Sequence, residues 1–140
     1  GEMHRVLKRG GRAVIGLPGP AAPMFETLAD SMGRHIEPAA KGFVQRVFSL
    51  YAPDALEALL KEAGFKQVDV RSTSHDLSLP APREFLWQYI GSTPLAGVMQ
   101  GVGGAARQAL EAEVVEAWNA SASGDGMALE QPMVYVTASK

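Results

Sequence analysis

Three histidines, a run of glutamates and a glycine cluster are the residues of this chain whose types could do chemistry. His4, His35 and His75 are scattered, and no two share a spacing that brings two imidazoles onto one metal ion. Each reads as a surface or locally bonded histidine. His35 is the one with a candidate use: it lies in the loop region expected after the first strand-like run, where an imidazole can act as general base. Glu111, Glu113 and Glu116 fall in a helix-period stretch and read as its solvated face. Ser49, Ser72, Ser74 and Ser92 lack the G-x-S-x-G elbow, which disfavours a hydrolase. Gly101-Val-Gly-Gly104 follows no strand and so lacks the context of a cofactor loop. Phe85-Leu-Trp-Gln-Tyr89 is the most aromatic segment. It suits a helix packed on a sheet edge, with Trp87 on a different helical face from Phe85 and Tyr89.

Composition narrows the classes. At 140 residues the chain fits one ordinary domain, and 46% hydrophobic residues are enough for a core. A net charge of −2 offers no basic patch for nucleic acid or an anionic membrane surface. With no cysteine, disulfides, thiolate metal sites and a cysteine nucleophile are excluded, and no metal is expected. No apolar run approaches the length of a membrane span. No signal-peptide pattern opens the chain, although Gly1 is not an initiator methionine, and a cytoplasmic address is expected.

The elements that would position these residues follow from periodicity. Met3, Val6 and Leu7 suit the last turns of an amphipathic helix, with Lys8 and Arg9 in its final turn and Gly10-Gly11 stopping it. Residues 12–17 form an apolar run without alternation, which predicts a strand covered on both faces. Residues 21–33 predict a helix with Met24, Phe25, Leu28 and Met32 on one side. Residues 34–42 look irregular, and 43–48 suit a short strand or an extended segment. Residues 54–62 predict a helix capped by Asp54, with Glu57 three residues on and a buried stripe of Leu56, Leu59, Leu60 and Ala63. Gly64 ends it, and 67–71 alternates as a strand. Residues 77–82 read as a proline-bounded connector, 83–90 as a helix, and 91–104 as loop or broken helix. Residues 105–119 predict a helix with Leu110, Val114, Ala117 and Trp118 inward. Gly124-Asp-Gly126 is a turn before a strand over 133–138. The order is that of an α/β fold.

Glu2-Met-His-Arg-Val-Leu-Lys-Arg-Gly-Gly-Arg-Ala-Val-Ile-Gly-Leu17 resembles the E-x-x-R-V-L-K-P-G-G motif and the apolar strand after it in class I S-adenosylmethionine-dependent methyltransferases. The ubiquinone/menaquinone-biosynthesis type is especially similar. Arg9 stands where that family usually has proline. Residues 56–70 (Leu-Glu-Ala-Leu-Leu-Lys-Glu-Ala-Gly-Phe-Lys-Gln-Val-Asp-Val) are similar to the family's L-x-x-L-L-x-x-A-G-F-x-x-V-x-V, and Val134-Tyr-Val-Thr-Ala138 resembles its closing strand.

The resemblance implies the C-terminal portion of one Rossmann-like methyltransferase domain over 1–140, with variable substrate or lid insertions at about 18–47 and 77–124. It implies a sheet ordered strand five, seven, six, with strand seven antiparallel, formed by 12–17, 133–138 and 67–72. It implies methyl transfer to a small apolar or aromatic acceptor in the intact protein. The family's cofactor motifs lie upstream of these matches, so no cofactor-binding residue is expected here, S-adenosylmethionine is not expected on this fragment alone, and the fragment is expected to be inactive. Pro18, Met24, Phe25, Trp87 and Tyr89 become the candidate acceptor-binding residues. A homo-oligomer is expected through the strand-five edge or through helices 21–33 and 105–119. Two alternatives stand beside this: a non-enzymatic α/β binding or dimerisation module derived from the fold, and another small-molecule enzyme on a doubly wound sheet.

Overall fold

The computed structural model describes residues 1–140, the side chain of Ser123 aside. Its elements in chain order are α1 (Glu2–Val6), β1 (Arg12–Pro18), α2 (Pro23–His35), α3 (Pro38–Val47), α4 (Pro53–Glu62), β2 (Lys66–Leu79), α5 (Pro82–Gly91), α6 (Leu95–Met99), α7 (Gly104–Asn119), β3 (Ala122–Ser123) and β4 (Gly126–Ser139). The chain divides into two compact units: residues 1–20, 48–75 and 131–140, and residues 21–47 and 76–130.

The first unit carries the sheet. Its order is β1-β4-β2, with β4 between the others. β1 runs antiparallel to β4, in a register that sets Ala13 opposite Ala138 and Leu17 opposite Val134. The Ser139 hydroxyl donates to the Lys66 carbonyl at 3.1 Å, placing the end of β4 at the start of β2, as an antiparallel pair requires. This is the order and direction expected for residues 12–17, 67–72 and 133–138. The strands themselves are longer than their apolar runs: β2 continues through polar, exposed residues to Leu79, and β4 begins at Gly126. The proline-bounded connector therefore shrinks to Pro80 and Ala81, and Pro82 opens α5.

α4 supplies the cover for this sheet. Pro53 takes the first helical position, where its fixed φ and missing N–H cost nothing. Asp54 is thus inside the first turn and makes no capping bond, contrary to the capping box expected from sequence. Glu57 pairs instead with Lys61 at 2.5 Å. The C-terminus closes on Gly64, whose φ of 95° only glycine adopts without strain. Gly64 N–H donates to Lys61 O at 2.9 Å and Phe65 N–H to Leu60 O at 3.0 Å, the paired bonds of a Schellman motif. The hydrophobic contact that accompanies that motif is present too: Leu60 and Phe65 share a core cluster with Leu56, Val134, Val136 and Ala138. Leu59 is excluded from it, being 51% exposed against 5% for Leu60.

β1 corrects a second expectation. Its residues alternate, with Ala13, Ile15 and Leu17 packed on the cluster and Val14 69% exposed. One face of the strand is covered, not two. α1 is also shorter than expected: it ends at Val6, its residues are not buried, and Lys8 and Arg9 lie beyond its last turn.

The second unit is helical. α2 packs on α3 and on α7, and α5 packs on α6 and α7. Phe25, Leu28 and Met32 from α2, Val44 from α3, Leu86 and Ile90 from α5, and Leu110, Val114 and Trp118 from α7 are buried. Ala117 is exposed. The strand or extended segment expected at 43–48 is the second half of α3 with Phe48 just past it, and the irregular stretch at 34–42 holds that helix's start at Pro38. α6 makes 91–104 a broken helix. β3 and β4 form a hairpin through the expected Gly124-Asp-Gly126 turn, pairing Ser123 with Gly126. No helix among the described residues is long and apolar enough to cross a membrane.

Candidate functional site

The polar groups of the second unit converge on two glutamates of α7. Leu110, Val114 and Trp118, four residues apart, make the buried stripe of that helix. Glu111 and Glu113 flank the stripe and so face the neighbouring helices at the rim of the core. Glu113 accepts from three residues of α2: the fully buried Ser31 hydroxyl at 2.7 Å, His35 Nε2 at 2.6 Å, and the Arg34 guanidinium. The Ser31 bond, then those of His35 and Arg34, hold its carboxyl down at about 2. An ionised carboxylate only accepts, so His35 Nε2 carries the hydrogen of that bond. Glu111 accepts from Trp87 Nε1 of α5 at 2.5 Å and pairs with Arg83 at 3.0 Å. These two glutamates are therefore not the solvated face expected from the sequence. The signal that could have found them is their place beside the apolar stripe.

His35 is the last residue of α2, not part of a loop. No hydrogen-bond partner of its Nδ1 exists among the described residues, and its side chain is 23% exposed.

An aromatic cluster joins α2, α5 and α7. Phe25 lies 5.3 Å from Tyr89 and 6.5 Å from Phe85, and Phe85 lies 5.6 Å from Trp118. The rings meet tilted or edge-on, which suits their quadrupoles. The Tyr89 hydroxyl is enclosed without a hydrogen-bond partner, and burial raises its pKa. Trp87 and Tyr89 border a shallow depression along α5. Of the five candidate acceptor residues, Met24, Phe25, Trp87 and Tyr89 thus lie in the second unit, while Pro18 ends β1 opposite Met133 in the first.

A separate recess of about 190 Å³ opens beside the α2 N-terminus. Met24, Thr27, Ala117, Trp118, Ser121 and Met127 are among the residues lining it. Trp118 is held there by its indole N–H, which donates to Met24 O at 3.0 Å.

The Pro18-Gly19-Pro20 turn leaves no backbone N–H for a nucleoside cofactor. Pro18 and Pro20 have no N–H, and Gly19 N–H is taken by Pro132 O at 2.7 Å. A side chain at Gly19 would run into Pro132, so its glycine serves packing. The carbonyls around Gly101 are occupied by Arg107, which donates to Met99 O and Val102 O. No group of three or more metal-ligating residues occurs among the described residues.

No protein-family model matches the chain. No curated protein matches it either. Among solved structures it is similar to the phosphoethanolamine N-methyltransferase 2 of Haemonchus contortus, in complex with phosphomonomethylethanolamine and S-adenosylhomocysteine, at 18% identity and a TM-score of 0.39. That likeness covers 99% of this chain and 28% of the other, so the chain spans little more than a quarter of that enzyme's length.

Proposed function

We propose that these residues are the C-terminal part of a class I S-adenosylmethionine-dependent methyltransferase domain of the ubiquinone/menaquinone-biosynthesis type, whose intact form methylates a small apolar or aromatic acceptor. One observation carries this: the last strand, β4, lies between β1 and β2 and antiparallel to β1. In open α/β sheets successive strands are usually parallel and linked by helical crossovers. A closing strand inserted backwards between two others is a restrictive arrangement. Here it falls on the same residues whose motifs resemble strands five, six and seven of that family.

In this proposal the helical unit is the acceptor side. Met24, Phe25, Trp87 and Tyr89 contribute its apolar surface, and Pro18 of the first unit is a separate candidate. His35 is the candidate general base: Glu113 fixes the imidazole through Nε2 and leaves Nδ1 to take a proton. The methyl donor is held by residues outside this chain, and the chain alone is inactive. The test is methyl transfer from tritiated S-adenosylmethionine by the full-length gene product to a panel of small phenols, quinols and amines. Label in at least one acceptor supports the proposal. A full-length product that neither labels an acceptor nor binds S-adenosylhomocysteine sinks it and favours the binding-module alternative.

A further inference from the structure

We infer that the recess beside the α2 N-terminus is a ligand site of its own, for a small neutral aromatic molecule that carries a hydrogen-bond donor. This goes beyond methyl transfer, and of the proposed acceptor residues the recess shares Met24 alone. Its lining lies wholly within the helical unit.

Size sets the first limit. A dry cavity of roughly 150 Å³ accepts benzene. About 190 Å³ therefore suits one six-membered ring with a small substituent. The lining sets the second. Met24 and Met127 offer polarisable thioethers, and Trp118 offers an indole anchored by its own hydrogen bond, groups that favour a ring over an alkyl chain. No charged residue among the described ones lines the recess, so an ionic ligand would gain no ion pair in return for its lost hydration.

The polar groups set the third limit. Thr27 Oγ1 already donates its hydrogen to Pro23 O at 3.2 Å. What it can still offer is a lone pair. A ligand group that meets Thr27 with this bond intact donates to it, as a phenol hydroxyl does and an ether oxygen cannot. Ser121, two residues past the end of α7, can donate or accept at the rim.

Phenol is the probe, titrated into the 140-residue chain by amide-resolved nuclear magnetic resonance, with toluene and benzoate as comparators. Saturable shifts are expected at Met24, Thr27, Ala117, Ser121 and Met127. Benzoate should bind at least about tenfold more weakly than phenol. Thr27→Val keeps the shape and removes the acceptor, and should bring phenol down to the level of toluene, a loss of roughly fivefold. Ala117 is exposed on its helix, so Ala117→Leu should fold normally, fill the recess and abolish binding of both. Phenol shifts scattered outside the recess, the absence of saturation, undiminished phenol binding in Thr27→Val, or binding that survives Ala117→Leu each overturns the inference. None of these outcomes bears on whether the full-length protein transfers a methyl group.

Discussion

His35 Nε2 lies 2.6 Å from Glu113 Oε2, tying the last residue of α2 to the middle of α7. Ser31 and Arg34 bond the same carboxylate from the preceding turn. With its carboxyl lowered from 4.5 to about 2, Glu113 contributes stability that is complete above about pH 4.5 and is lost as the pH falls toward 2. Glu113→Gln should lower stability by about 1–2 kcal/mol at pH 7, a partly exposed charged hydrogen bond being worth that much. The gap to wild type should narrow in acid. Urea melts at pH 7 and pH 3 measure both values, and equal midpoints at pH 7 would contradict the assignment.

Leu60 and Leu59 are neighbours with opposite environments. Leu60→Ala should cost about 2–5 kcal/mol, because it opens a cavity in the cluster beneath α4 and removes the Schellman contact to Phe65. Leu59→Ala should stay within about 0.5 kcal/mol, as exposed substitutions do. Chemical denaturation of the two variants decides it, and similar losses in both would place Leu59 in the core after all.

The Tyr89 hydroxyl is enclosed and unpartnered. An unsatisfied buried polar group costs roughly 1–3 kcal/mol, so Tyr89→Phe should leave the melting temperature unchanged or raise it by a few degrees. A clear drop would show that the hydroxyl has a partner.

Among the described residues β1 pairs with β4 alone, leaving its other edge open beside the exposed Val14. Such an edge recruits another strand, and a second copy of the chain is the available one. Sedimentation at micromolar concentration should give a dimer or larger species. Val14→Lys, a charge on an apolar edge strand, should shift it toward monomer. A wild-type chain that sediments as a clean monomer would refute the association.

How much of this was legible in the sequence depends on the range of the interaction. The end of α4 was: Gly64 and Phe65 act on residues three to five positions back, so the Ala63-Gly-Phe65 triplet carries its own structural reason. The position of β4 between β1 and β2 came from the family resemblance and not from periodicity. Leu59 was misplaced because a stripe at i, i+4 leaves the intervening leucine at its border. α3 was missed because a short apolar run such as 43–48 fits strand and helix alike. The Glu113 cluster lay out of reach, since Ser31, Arg34 and His35 stand 78 to 82 positions away and helical periodicity does not separate the flank of a stripe from its back.

The proposed methyltransferase reading places the methyl donor on residues outside this chain. Calorimetric titration of S-adenosylhomocysteine into the 140-residue chain and into the full-length gene product tests it most directly. No saturable heat is expected with the chain, and one micromolar site with the full-length product. One-site micromolar binding by the chain itself, or none by the full-length product, would contradict it.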